Sequence, residues 1–474
     1  MNGDHLSEQI HPGWNALVQW LSDPHCMDIS IDKLPVVARS SPGAGYGLFS
    51  LRSIEPSAPL FSIPAQALLN SLTLAPHYPS TRPKLTCTQA VSLHLMLHRS
   101  VDGHSSDPLF GPYISVLPNN FDSHPFSWLW KKRHDPDSLS LDTQLANILP
   151  RRILEKLDKM TLLFEEDWKR TQDYLRNNPT LLDKKTGTRI EEDYLWGWLN
   201  VNTRCVYHRL AKTRSDGDNM TLCPILDFAN HTTKPPYTTP ETTRAELWDT
   251  GPSAKKKFGD NFVLLSPSSA ASPAEELYLK YGAHSSATLF SEYGFVSNPD
   301  PAEQSDETLG GQMDLGSVIE HLFERRGVVG SWMKDVLIEE GYWGDWTLHS
   351  SPAPAHPSYR LITTLRLYHL VPRYTQSIPS NVDAYLQDWR DTILGKKYII
   401  SKENESLWRG TLKKICESIV NDAVEGLGRT AAIDGSEGSP EWLDSSRTFV
   451  SWLWQEEIDV STSVIGSLDQ NEEF

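Results

Sequence analysis

The octapeptide Pro224-Ile225-Leu226-Asp227-Phe228-Ala229-Asn230-His231 runs from apolar residues into three polar specialists, with only Phe228 and Ala229 between Asp227 and the Asn230-His231 pair. Taken alone it describes a loop entry, with Asp227 capping a turn and Asn230 supplying left-handed backbone. Two neighbouring signals widen that reading. Upstream, Ser41 to Ser50 reads SPGAGYGLFS, with three glycines in five residues, a loop whose backbone must turn tightly or come close to another group. Gly45-Tyr46-Gly47 is not a dinucleotide fingerprint, because Ser50 stands where the third glycine belongs and no clear helix follows. Downstream, Leu277-Tyr278-Leu279-Lys280-Tyr281-Gly282 and Ser291-Glu292-Tyr293-Gly294-Phe295-Val296 place a Tyr-Gly pair twice, twelve residues apart. Their bland meaning is an aromatic core pair beside turn glycines.

Hydrophobic period divides the chain around these motifs. Leu34 to Arg39 and Leu60 to Ile63 read as strands punctuated by Pro and Gly. Ala90, Leu93 and Leu97 have helical spacing, and Leu157, Met160, Phe164 and Trp168 continue it from Ile153 in one long amphipathic helix ended by Asn177, Asn178 and Pro179. A further helix runs from Glu191 towards Arg204. Beyond residue 205 short β-like pieces return, clearest at Phe262–Leu265 and Leu277–Leu279, between Thr/Pro-rich and Ser/Ala/Pro-rich loops at 232–243 and 266–273. From about Asp314 the helical period dominates, in stripes at Val382, Tyr385, Leu386, Trp389, Ile393 and at Trp408, Leu412, Ile415, Ile419, Ala423. Gly426, Gly428, Gly435 and Gly438 read as a flexible break before an aromatic segment, Trp442 to Trp454. The pattern of β, helical insert, β and helical C-terminus defines an α+β chain with an all-helical partner domain.

Composition narrows the partners. The 474 residues include 44 Lys+Arg and 61 Asp+Glu, a formal net charge of −17. That surplus of acid argues against direct nucleic-acid binding, which needs a basic face, and fits a basic protein partner. With 16 Trp, 16 Tyr and 14 Phe the chain has ample surface to bury. The five cysteines are scattered, with no CxxC pair, so reduced thiols and no zinc ribbon are expected. Met1 to Ile31 has no apolar run of signal-peptide type, and no stretch approaches the length of a membrane span. Lys255-Lys256-Lys257 is too short for a targeting run, leaving cytosol and nucleus equally open.

Taken in order, GYGLF, Arg204, DFANH, ELYLKYG and EYGFV resemble the SET domain, in the branch of protein lysine methyltransferases similar to the Rubisco large-subunit methyltransferase. The resemblance implies a SET fold begun in residues 1–84 after an N-terminal helix, interrupted by a helical insertion at 85–200 and completed at 201–300. A helical substrate-binding domain at 310–474 follows. It implies S-adenosylmethionine as cofactor, held by Gly45, Tyr46 and Gly47 through main chain and by Arg204, Asn230 and His231. Tyr281 matches the catalytic tyrosine. His208, Asp227, Tyr281 and Tyr293 fall at substrate positions, His208 in place of the family's arginine. Two departures accompany the match: Ser285-Ser286 stands where many relatives have an asparagine, and only Cys416 follows Tyr293, so the cysteine-rich zinc cluster of histone-directed relatives is missing. The resemblance therefore implies a lysine N-methyltransferase without a metal, acting on a non-histone protein such as a ribosomal protein or translation factor. A histidine methyltransferase and a non-catalytic SET scaffold are its alternatives. Tyr281 and Tyr293 favour lysine over the first, and joint retention of Arg204, Asn230, His231 and Tyr281 argues against the second.

Overall fold

The computed structural model describes residues 10–25, 27, 33–185, 189–211, 213, 215–241, 259–297, 311–380, 382–433 and 439–474. Cys26, Lys255-Lys256-Lys257, Gly435, Gly438 and the end of the 232–243 loop lie outside them. Two compact units divide the chain: residues up to Ser127 with Asp158–Ala283, and Trp128–Leu157 with His284–Phe474.

The first unit is built from short antiparallel strands. β1 (Val36–Ser41) pairs with β2 (Gly45–Ser50) in register from Val36↔Ser50 to Ser41↔Gly45. The glycine-rich stretch is thus itself a strand, and the loop expected there shrinks to the turn at residues 42–44. Gly43 and Gly45 take the left-handed backbone that this turn requires, at φ +77° and +75°, whereas Gly47 is an ordinary strand residue. β3 (Pro59–Ile63) and β6 (Thr239–Pro240) flank β7 (Phe262–Leu265), and β4 (Val206–Tyr207) pairs with β5 (Met220–Thr221). Leu277–Leu279 forms no strand of its own; Leu279 bridges to His231 and Thr238 in parallel.

Helices of nine or more residues are α1 (Trp14–Ser22), α2 (Cys87–Leu97), α3 (Pro125–His134), α4 (Arg151–Asn177) and α5 (Ile190–Arg204) in the first half. Thr86 and Gln89 close a capping box at the start of α2, each side chain taking up an amide of the other. α4 ends where Asn177-Asn178-Pro179 predicts, and a 3₁₀ turn, Pro179–Lys184, follows it. Residues 87–127 and 158–204 pack within the first unit rather than standing apart as a third. Its core joins Trp14 and Leu17 of α1, Val36 and Leu48 of the hairpin, Phe61, Leu264 and Leu226.

In the second unit lie α6 (Gly316–Glu324), α7 (Gly327–Glu339), α8 (Tyr359–Tyr368), α9 (Val382–Ile393), α10 (Lys402–Ala431) and α11 (Trp442–Asp469). It is not all-helical: β8 (Gln312–Asp314), β9 (Thr347–His349) and β10 (His356–Pro357) form a small antiparallel sheet in the order β10-β9-β8. The α+β class stands, with strands at both ends of the chain. Trp346, Trp389 and Trp408 are fully buried at the centre of this unit.

Gly426 and Gly428 do not break a helix; both lie inside α10. A Cβ at Gly426 would meet the Trp454 ring of α11 at 2.3 Å, so the missing side chain is what lets two long helices touch. Gly426→Ala is therefore expected to destabilise by about 1–3 kcal/mol through overpacking, despite alanine's better helix propensity. Urea unfolding measures it, and a stabilised variant would show that the helices are free to separate.

Candidate active site

The octapeptide sits at the first unit's centre of chemistry. Ile225 is fully buried and takes φ +70°, a strained conformation for a β-branched residue. Asn230 is not among the left-handed positions. The 3₁₀ turn Leu226–Phe228 follows Ile225 and aims Asp227 inward.

Asp227 faces two partners. Its Oδ2 accepts the Tyr113 hydroxyl proton at 3.3 Å and lies 3.5 Å from Arg204 Nη1, which also donates to the Asp227 carbonyl at 3.0 Å. The carboxylate is 4% exposed. Burial raises its pKa, opposed by Arg204 and the Tyr113 hydrogen bond. Asp227 Oδ1 and Arg204 Nε are both buried without a hydrogen-bond partner. Arg204 thus emerges from the end of α5 with a counter-charge beneath it and unused donor capacity. Asp227, placed by the resemblance at the substrate, is sealed beneath the guanidinium.

A raised carboxyl pKa lowers folding stability as pH rises. Below the unfolded value both states hold the proton; above it the unfolded carboxyl ionises first, and stability falls until the folded one follows. Asp227→Asn is expected to remove that slope, which begins above the unfolded value of about 4, and to leave stability at neutral pH within about 1 kcal/mol of the parent, because the partner arginine is partly solvated. Urea unfolding against pH reads both.

A second set of contacts surrounds Asn230. Its Nδ2 donates to Glu276 Oε1 at 2.7 Å and to the Tyr46 carbonyl at 3.3 Å. Glu276 Oε2 accepts from Ser41 Oγ and from the Tyr278 hydroxyl, each at 3.0 Å. A Cβ at Gly47 would lie 2.3 Å from Glu276 Oε1 and 3.1 Å from Asn230 Nδ2. Glycine at 47 is required by this close approach, not by its dihedral angles. Since both amide protons of Asn230 are directed at Glu276 and Tyr46, its Oδ1 remains as an acceptor. Gly45 lies exposed at the start of β2, and the exposed Tyr46 ring meets His11 edge-on at 4.4 Å.

His231 and Tyr281 are joined directly. The Tyr281 amide donates to His231 Nδ1 at 3.1 Å, and the rings lie 5.0 Å apart. The Tyr281 hydroxyl donates to the Ala229 carbonyl at 2.9 Å, which spends its proton and leaves the oxygen's lone pairs to accept from another donor. Asn230, His231, Tyr281, Gly47 and Tyr46 are therefore one connected group, with Arg204 and Asp227 joined to the same octapeptide.

His208 and Tyr293 are placed otherwise. His208 is buried, its ring 6.1 Å from Phe262 of β7. Tyr293 belongs to the second unit, at the end of a π-helical turn, Leu289–Tyr293, with its ring 5.8 Å from His284. Burial and Glu292 raise its pKa. Ser285, at the departure from the family pattern, caps the short helix ahead of that turn by accepting the Thr288 amide at 3.3 Å, which asparagine does equally well.

Sequence reasoning missed Glu276, Ser41, Tyr113 and His11. Glu276 was within reach, since Glu276, Tyr278 and Lys280 alternate and so share a face of an extended segment. Tyr113 was not, being 114 residues from Asp227. Among the described residues, His94, His98 and Asp107 form the one grouping with metal-ligand proximity. A hydrogen-bond relay already occupies it: the Tyr78 hydroxyl lies 2.9 Å from His94 Nδ1, and His94 Nε2 lies 3.0 Å from Asp107 Oδ2.

No protein-family model matches the chain. It is similar to the ribosomal lysine N-methyltransferase set11 of Schizosaccharomyces pombe, 26% identical over 88% of this chain and 89% of the relative. The human SET domain-containing protein 4 is 24% identical over 97% and 91%. Among solved structures, the SET domain of LSMT bound to lysine and AdoHcy matches 97% of this chain and 92% of its own, with a TM-score of 0.64 at 18% identity. The fold is therefore the SET fold. Over most of its length the chain is thus similar to SET-domain proteins of the lysine methyltransferase group, among them Rubisco LSMT, SET domain-containing protein 4 and a ribosomal lysine methyltransferase.

Proposed function

We propose that the chain is a protein-lysine N-methyltransferase that uses S-adenosylmethionine and acts on a non-histone protein, a ribosomal protein or translation factor being the target class. The observation that carries this reading is the single connected group of Gly47, Asn230, Glu276, His231 and Tyr281. The name of the fission-yeast relative supports the ribosomal target. The net charge of −17 suits a basic partner. Among the described residues no helix is long and apolar enough to cross a membrane, and residence in cytosol or nucleus belongs to the proposal.

The residues fit an amino-acid-bearing cofactor. Arg204 retains a buried, unpartnered Nε for a carboxylate, Asn230 Oδ1 can accept from an ammonium, and the absence of a side chain at Gly47 lets Glu276 and Asn230 close against the strand and so fixes where that amide stands. Gly45 and Tyr46 would add main-chain contacts, and His231 would border the same ligand. When bound, S-adenosylmethionine supplies an electrophilic methyl group on a sulfonium.

The chain itself must deliver a neutral amine. Lysine has a pKa near 10.4, so about one molecule in a few thousand is unprotonated at pH 7. An apolar wall of aromatic rings disfavours the ammonium and raises that fraction. Tyr281, its proton held by Ala229, accepts an amine N–H and so turns the nitrogen lone pair away from itself. Tyr293 is proposed as a second substrate-side ring, packing against the alkyl stem. Asp227 acts through Arg204, and His208 through the core that it helps to fill.

Gly47→Ala tests the cradle. Relieving the contact with Glu276 and Asn230 is expected to take about 1–3 kcal/mol, or about 10- to 100-fold in affinity for S-adenosylhomocysteine where the shift falls on Asn230. Calorimetric titration reads it; unchanged affinity would place the cofactor elsewhere. The activity itself is tested by incubating the purified chain with labelled cofactor and ribosome extract. A discrete labelled protein band supports the proposal, and cofactor binding without any transfer would favour a SET scaffold that only docks.

A further inference from the structure

The second unit concentrates positive charge that methyl transfer does not use. Leu322, Arg325, Arg326, Tyr368 and Arg373 line a pocket of about 230 Å3. Arg326 has a structural role, since Nη1 donates to the Tyr368 carbonyl at 2.6 Å and Nη2 to the Pro372 carbonyl at 2.8 Å, closing the C-terminal end of α8 as cations do. Its Nε is buried and has no partner. Arg373 donates to Thr411 Oγ1 at 3.2 Å, and its guanidinium carbon lies 5.8 Å from the Tyr368 ring, which Arg326 approaches at 5.2 Å. Both Arg325 and Arg373 are exposed.

Among the described residues no carboxylate pairs with Arg325, Arg326 or Arg373. That is unexpected in a chain with 61 acidic and 44 basic residues. The crowding is felt locally. Burial and then Arg373 and Arg326 pull His369 down to about 4, while its Nε2 lies 2.8 Å from the same Thr411 hydroxyl. Arg326 itself is lowered by burial and by Arg373. α7 begins at Gly327, directly after Arg326, with no side-chain cap and no acidic residue in its first turn, so its free amides add charge of the same sign.

We propose that this pocket binds a phosphate-type oxyanion, free or as a monoester, held by Arg325, Arg373 and the unsatisfied Nε of Arg326. Guanidinium groups meet phosphate oxygens through paired N–H donors. Three cations without a counter-ion match a dianion better than a single carboxylate. The site does not depend on the methyl-transfer reading.

The test uses the full chain at constant ionic strength, with inorganic phosphate and O-phosphoserine as probes in calorimetric titration. Arg325→Ala/Arg373→Ala removes two exposed guanidinia that do not close α8, and with only the Thr411 and Tyr368 contacts of Arg373 lost the thermal midpoint without phosphate is expected to fall by no more than about 2–4 °C. Phosphate affinity in the double variant is expected to fall at least about tenfold, the loss of one charge-assisted hydrogen bond or more. The His369 imidazole, followed by NMR, should titrate at higher pH when phosphate is added to the parent and not to the variant. Phosphoserine binding as tightly as phosphate assigns the pocket to a monoester, and phosphate alone to the free ion. Equal binding by parent and double variant, or equal displacement by chloride, would overturn the proposal.

Discussion

Tyr281→Phe is expected to lower methyl transfer by about 10²- to 10³-fold, the range found when one preorganised polar group is removed from a reaction centre, while cofactor affinity stays at the parent value and the thermal midpoint falls by no more than about 2–4 °C. The asymmetry follows from the contacts. The ring is held by its backbone amide on His231 Nδ1 and by the neighbouring imidazole, and phenylalanine keeps both. Only the hydroxyl is lost, and its bond to the Ala229 carbonyl serves orientation more than stability. That carbonyl is left without the tyrosine donor, at about 1 kcal/mol. Single-turnover methylation separates the outcomes. A variant slowed no more than twofold would show that Tyr281 is a packing residue, and loss of cofactor binding would show that it supports the fold of the site.

Arg152→Ala is expected to destabilise the second unit by about 3–5 kcal/mol at neutral pH, because it strands two buried carboxylates. Arg152 Nη2 meets Glu456 Oε2 at 2.7 Å and the Leu453 carbonyl at 3.0 Å, and Nε meets Glu457 Oε1 at 2.8 Å. Each of the two acids is 7% exposed. Burial raises Glu457 even with the guanidinium in place, and Arg152 stays firmly protonated between its partners. Without the arginine the Glu457 carboxyl rises further above its unfolded value, so the folded state holds a proton that the unfolded state has released. The deficit should therefore shrink as pH falls through that window. Adding Glu456→Gln and Glu457→Gln should recover most of the loss. Urea unfolding at two pH values measures both effects; a deficit independent of pH would mean that lost packing, not stranded charge, dominates.

The motifs were legible where chemistry demands a residue type at close spacing. Asn230-His231 and Tyr281 stand in short segments whose order can be compared with a family, and the structure joins them by a direct hydrogen bond. Glycine was harder to read because its two uses look alike in sequence. Gly45 turns the chain, Gly47 admits a carboxylate beside a straight strand, and Gly426 admits an indole beside a helix. Composition suggests a loop or a break in each case. The β8–β10 sheet escaped notice because strands of two or three residues are too short for an alternation to register. Asp227 stands out in the sequence as unusual, yet its environment depends on Tyr113, a contact that no local pattern encodes.

The most direct measurement of the central claim is peptide mass spectrometry of the protein labelled by the purified chain in ribosome extract, run in parallel with Asn230→Ala. Methylated lysine on a discrete target is predicted with the parent, and none with the variant, whose amide no longer bridges Glu276 and Tyr46. Methyl groups found on histidine, or equal labelling by parent and variant, would contradict it.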